Sequence, residues 1–193
     1  MNRADERRRR LGCVGGLVMT ASGANPWPNP SLQNRQASLD DDLISLCDHV
    51  EAVAPGSIAG LTICNSSRTH LERAVFPQLP EFAAAIAAIP LTPSDFGSCV
   101  RAVAHGEIIT CPDIAEEKRF DPQWQRLCLD HGIRSLQSRP VYLRGGIPYA
   151  AFVLAYRQPR EETAWNVALM TFAADAAGLI IQSALDRTNI AAE

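Results

Sequence analysis

Ser135-Leu-Gln-Ser-Arg-Pro-Val-Tyr-Leu143, Arg144-Gly-Gly146 and Ile147-Pro-Tyr-Ala-Ala-Phe-Val-Leu-Ala-Tyr156 form the stretch on which the fold turns. Two strand-like runs flank a glycine pair that supplies a tight reversal, which is the signal of an antiparallel hairpin. A second hairpin lies upstream. Ser57 to Cys64 (SIAGLTIC) is an apolar run of buried-strand type, Asn65-Ser66-Ser67 is turn chemistry, and His70 to Phe76 reads as its partner. Glu107 to Cys111 adds a short strand that Pro112 ends. Connections this tight cannot carry the crossover that parallel pairing needs, so the sheet is expected to be antiparallel.

Helices bracket and interrupt these strands. Leu39, Leu43, Leu46, Cys47, Val50 and Val53 recur at helical spacing, with Ser38 as N-cap and Asp40, Asp41 and Asp42 in the first turn, where the helix dipole favours anions. Pro55-Gly56 stops this helix. Pro80 opens a short helix over 81–88 that Pro90 closes, and the loop Ser94-Asp95-Phe96-Gly97 leads into a helix over 98–104 ended by Gly106. Asp121-Pro122 starts a helix over 123–131, with Gly132 as its stop. The last helix spans 162–187, with Trp165, Leu169, Phe172, Ala176, Leu179, Ile180 and Leu185 as its apolar stripe. At ~1.5 Å per residue it approaches ~40 Å, so its end is expected to run past the body of the domain.

The pattern is an α+β domain over residues 38–193. Residues 1–37, with Pro26, Pro28 and Pro30 among Asn, Gly and Ser, read as a disordered or linker segment. Arg7 to Arg10 followed by the run 11–19 imitates a signal peptide, but that run is glycine-rich. Six cysteines, at 13, 47, 64, 99, 111 and 128, show no CxxC pair and no zinc spacing. Unpaired thiols scattered through apolar patterns point to a reducing, cytoplasmic setting. A net charge of −3 carries no nucleic-acid footprint, and no stretch is read as approaching the ~20 apolar residues of a membrane span. The apolar share of 47% is enough for a core of its own.

Three segments together carry a family resemblance: Leu79-Pro-Glu-Phe-Ala-Ala-Ala-Ile-Ala-Ala-Ile-Pro90, Phe96-Gly-Ser-Cys-Val-Arg-Ala-Val-Ala-His-Gly-Glu107 and Cys111-Pro-Asp-Ile-Ala115. In this order they resemble GAF domains of the bacterial signal-transduction type, found beside histidine kinases and diguanylate cyclases. Trp124, His131-Gly132, Ser138-Arg139-Pro140 and Tyr156-Arg-Gln-Pro-Arg160 match further segments of that pattern. The resemblance covers roughly residues 38–187. It implies a PAS-related, six-stranded antiparallel sheet with the terminal helices on one face and small helices and loops enclosing a pocket on the other. Val100, Gln137 and Ala150 depart from residues common in the family, where Gly, Trp and Gly are usual. These changes alter the pocket wall, so no relative's ligand carries over.

Phe96, Ser98, Cys99, Asp113, Trp124 and Gln137 are the candidate ligand-binding residues. Asp113 either accepts from an amine or hydroxyl of a ligand or caps the turn after it; Trp124 either stacks on a ligand or packs against the sheet. Cys99, at a helix N-terminus, is either a thiol of lowered pKa or a small core residue. His105 and His131 end helices, where capping outranks catalysis. No metal site and no cofactor are expected beyond an unidentified small molecule.

Two functions follow. The first is a non-catalytic sensor or regulatory domain that binds a small molecule. It relays the signal through terminal helices paired with a second copy, to an output protein in trans. The second comes from a branch of GAF proteins that act as free methionine-(R)-sulfoxide reductases; in it Cys99, Cys111 and Cys128 would be the catalytic thiols. The family's Cys-Asp nucleophile falls near Gln123, and its acidic residue falls at Leu136, so that site is incomplete. A dimerisation module with a collapsed pocket is the third reading, which a dry, side-chain-filled cavity would favour.

Overall fold

A computed structural model of the chain describes residues 39–93 and 96–190. The expectations for residues 1–37, and Ser38 as an N-cap, lie outside the described residues. Five strands, β1 (Ser57–Cys64), β2 (Leu71–Val75), β3 (Ile109–Cys111), β4 (Ser135–Tyr142) and β5 (Pro148–Tyr156), form one sheet in the order β2-β1-β5-β4-β3. Every neighbouring pair is antiparallel. The α+β class and the antiparallel arrangement match the sequence reading. The sixth strand implied by the family resemblance does not form among the described residues. Where the chain returns along β2, an isolated bridge joins His70 to Pro90, and Pro90 has no N–H to extend it.

The two faces of the sheet carry different helices. Helix α1 (Leu39–Val53) and helix α5 (Ala164–Ile190) cover one face, where Leu43, Cys47 and Val50 meet Leu61, Phe152, Leu154, Met170 and Ala173. The other face is covered by α2 (Pro80–Ile86), α3 (Ser98–His105) and α4 (Pro122–Asp130), packed on Ile58, Cys64, Leu136, Ala151 and Val153. Both faces are therefore buried, which is why β1 and β5 read as near-continuous apolar runs instead of alternating. Local chemistry sets the helix ends. Asp121 caps α4, its carboxylate accepting from Gln123 N at 2.6 Å, and Pro122 occupies the first turn. Gly106 ends α3 with φ +71°, a left-handed conformation that costs glycine least.

Edge strand β3 has part of its free side occupied by a side chain: Arg119 donates to the Thr110 carbonyl at 2.7 Å, which blunts the edge against further pairing. Helix α5 does not run free past the body as expected from its length. Its Gln182 side chain accepts from Arg144 N at 3.1 Å and Asp186 pairs with the Arg144 guanidinium at 3.2 Å, so the hairpin turn holds it. The stretch Ala164–Arg187 is also long and apolar enough, by composition, to cross a bilayer, contrary to the sequence reading. It is apolar on two sides for two reasons: one side packs on the sheet, and the other presents Trp165, Phe172 and Leu179 outward.

Candidate functional site

The face opposite the terminal helices carries a small cavity, narrower than the cleft of about 570 Å³ that Asp40, Ile44 and Ala83 line elsewhere. Phe96, Gly97, Cys99 and Val100 enter the small cavity from the start of α3, Trp124 from α4, and Phe82, Ile86, Ile89 and Leu71 from the α2 side. Side chains fill it almost completely, which is the arrangement expected of the third reading, a dimerisation module with a collapsed pocket. The remaining space is about 10 Å³, at the limit of what one water needs. The indole of Trp124, 3% exposed, is the plug; it leans on the Phe120 ring at 4.9 Å and lies directly over Gly97. A Cβ at position 97 would stand 2.2 Å from the indole Cδ1, so the close approach depends on glycine. Phe76 covers Gly60 on the same face in the same way, with 2.2 Å to its ring Cδ1. An edge-on contact between Phe76 and Phe82 at 5.1 Å continues the aromatic wall.

Behind Cys99 lies a small polar floor. Ser138 Oγ donates to Ser98 Oγ at 2.9 Å, and Cys99 Sγ lies 3.9 Å from Ser138 Oγ. Thr62, opposite Ala151 on the same face of the sheet, is fully buried, and its hydroxyl stands by the Cys99 thiol without a hydrogen bond of good geometry. Burial pushes the Cys99 thiol up; the hydroxyls of Ser138, Ser98 and Thr62 only partly oppose this. Of the two alternatives for Cys99, the small core residue is the one the structure realises, because desolvation outweighs the dipole here.

Cys128 is buried, and its thiol is pushed well up by desolvation, with Cys99 and Cys111 as charge-repelling neighbours. Cys111 is likewise raised, first by burial and then by Glu117. Glu117, with a side chain 7% exposed, is held down to about 2 by hydrogen bonding from Arg119, which pairs with it at 2.5 Å. Arg119 Nη2 also approaches Cys111 Sγ at 3.6 Å. Three thiols thus converge on one side of the sheet, all in the neutral form at neutral pH. Cys47, Cys64, Cys99, Cys111 and Cys128 are all free and buried.

The structure brings Phe96, Cys99 and Trp124 together at the cavity and places Ser98 just behind them. Asp113 and Gln137 do not join them. Asp113 realises the capping alternative: its carboxylate accepts from Ala115 N at 3.0 Å and takes two bonds from Arg134 Nη2, at 2.9 and 3.0 Å. Those Arg134 bonds, first, hold its pKa below the ordinary value. Gln137 pairs with Leu154 in the sheet register and so lies on the terminal-helix face. The physical reason is the two-residue period of a strand: Leu136 and Ser138 face the cavity side, and Gln137 between them cannot. Thr62 and Ser138 were missed, although polar residues at the cavity-facing parity of apolar strands were a readable signal. Leu71, Phe82, Ile86 and Ile89 were missed because apolar wall residues look like any other core.

No family model matches this chain, and no curated protein matches it. Solved structures do. A domain of a two-component sensor histidine kinase protein from Sinorhizobium meliloti aligns with TM-score 0.61 at 15% identity, over 80% of this chain and 97% of that one. The GAF domain/HD domain protein from Geobacter sulfurreducens aligns with TM-score 0.58 at 13% identity, over 77% and 94%. Free methionine-R-sulfoxide reductase from Neisseria meningitidis aligns with TM-score 0.56 at 14% identity, over 77% and 82%. At such identities the likeness shows the fold, which these sensory and enzymatic proteins share.

Proposed function

We propose, from the premise that this chain has a GAF-type fold, that it is a non-catalytic regulatory domain. In this reading it works as a homodimer paired through its terminal helices, with the plugged cavity as its sensing site, in the cytoplasm and on an output protein in trans. One observation carries the reading. Trp165, Phe172 and Leu179 are 60%, 65% and 75% exposed and stand seven residues apart on α5. A seven-residue interval returns to one helix face every two turns, so the three form one outward line, with Ala168 and Ala176 between them small enough for close approach. An apolar line of this kind seeks a partner, and an identical helix supplies a matching one.

The inner side of the same helix packs on β4 and β5, the strands that bear Ser138 and Val153 on their other face. A ligand that displaces the plug would press on that sheet. It shifts the dimer only if it binds the two arrangements with different affinity. Sedimentation equilibrium of the full chain tests the pairing. The expected result is a dimer that Phe172→Glu with Leu179→Glu converts to monomer with unchanged far-UV circular dichroism. A monomeric wild type at high protein concentration refutes it.

The reductase reading requires a thiolate and an open substrate site. Against it stand three buried, neutral thiols and a carboxylate beside Cys111 that Arg119 already holds. Turnover of methionine-(R)-sulfoxide with thioredoxin, abolished by Cys128→Ser or Cys99→Ser, would overturn the non-catalytic assignment.

A further inference from the structure

We infer that the cavity beneath Trp124 takes a small, uncharged, largely apolar molecule bearing at most one or two hydroxyl or carbonyl groups. The inference rests on reading that cavity as the sensing site, and adds the chemical class of its ligand. Among the described residues the walls hold no ionisable carboxylate, ammonium, guanidinium or imidazole: they are Leu71, Phe82, Ile86, Ile89, Phe96 and Val100, with Trp124 as plug. The nearby charges are engaged elsewhere. Glu117 pairs with Arg119, Asp113 pairs with Arg134, and Arg68 donates to the Val103 carbonyl at 2.9 Å.

Charge on a ligand placed here would be stripped of water and given no counter-ion, an arrangement that proteins avoid because desolvation is not repaid. Zwitterionic amino acids and their sulfoxides, nucleotides and carboxylates are disfavoured on this ground. A hydroxyl or carbonyl is not. The floor offers uncharged partners in Ser98, Ser138 and Cys99, and Thr62 Oγ1 is buried without a partner of its own. A buried hydroxyl left unpaired at this floor calls for an explanation, and a ligand's polar atom supplies one.

Entry requires the plug to move, because about 10 Å³ admits nothing larger than water. On this proposal the indole is the part that moves: it is a side chain of α4 packed over Gly97, and its displacement would break no hydrogen bond of the sheet. A ligand therefore competes with Trp124 for the same apolar walls, and its measured affinity is lowered by the small fraction of molecules with the plug out.

Three probes that share a ring and differ in charge test this on the full chain: benzyl alcohol, benzoate and benzylammonium. Titration followed by thermal midpoint and tryptophan emission is expected to show saturable binding of benzyl alcohol to the wild type. That binding should be at least about tenfold tighter than either charged probe, and about tenfold tighter again in Trp124→Ala. Should Trp124→Ala not fold, Phe96→Ala opens the same wall and replaces it. Benzoate or benzylammonium binding as tightly as the alcohol overturns the ligand class while leaving the sensing site standing. Failure of all three to bind the wild type overturns the sensing site as well, and the dimer then stands or falls on sedimentation alone.

Discussion

Replacing Gly97 by alanine is the sharpest test of how the cavity is closed. Gly97 has φ −172°, an extended conformation open to any residue, so the substitution brings no backbone strain. Its whole effect is steric. The new methyl would stand 2.2 Å from Trp124 Cδ1, 2.5 Å from Nε1 and 2.7 Å from Cγ. Cγ is next to the root of the side chain, so rotating the ring tip gives no relief and the whole indole has to shift. Overpacking of this kind costs about 1–3 kcal/mol, and expelling the indole forfeits a burial of similar size. We expect Gly97→Ala to lose about 2 kcal/mol, which for a domain of this size lowers the thermal midpoint by roughly 4–8 °C. Urea unfolding gives the free energy, and tryptophan emission in a background with Trp27 and Trp165 replaced by phenylalanine reports the Trp124 indole, which red-shifts if it is driven into water. In Gly97→Ala/Trp124→Leu the two substitutions should be far from additive, because the leucine vacates the contested space. A Gly97→Ala protein within about 0.5 kcal/mol of wild type and with unchanged emission would refute the claim that Trp124 plugs the cavity against Gly97.

The Glu117–Arg119 pair makes stability depend on pH in a stated direction. Glu117 has its folded pKa lowered from 4.5 to about 2, first by the Arg119 hydrogen bond, so its contribution is complete above about pH 4.5 and fades as pH falls towards 2. The shift alone would correspond to about 3 kcal/mol, but Arg119 is half exposed and solvent screening reduces this to about 1–2 kcal/mol. Glu117→Gln should be less stable than wild type by that amount at pH 7 and indistinguishable near pH 2; a gap that widens towards acid would contradict the pairing. The thiols give a second test. In Cys13→Ser, none of the five remaining cysteines should react with a disulfide reagent until the protein unfolds, since all five are buried and free. Rapid modification of one thiol in the folded protein would show that the core opens readily and would revive a redox role.

The boundaries of β1, the order of elements and the antiparallel sheet were legible because they rest on short-range chemistry. Pro55-Gly56, Asn65-Ser66-Ser67 and Gly145-Gly146 mark reversals by backbone preference alone, and Asp121-Pro122 marks a helix start for the same reason. The two capping alternatives, at Asp113 and at the helix-ending His131, were legible too, since a cap needs only the residues beside it. Gln137 shows where this stops. Its candidacy came from its place in a family pattern, whereas strand parity, readable from Leu136 and Ser138 on either side, sends it to the other face.

By itself, the amino-acid order determined the element types, their sequence and the apolar content of α5, because hydrophobic period and turn residues act over a few positions. Only the tertiary structure decided that Trp124 fills the space over Gly97, that Cys99, Cys111 and Cys128 share one buried region, and that Arg119 reaches back to the Thr110 carbonyl. Those facts depend on segments distant in the chain meeting at van der Waals range, and the volume left between them is set by how the elements pack, which no local pattern encodes.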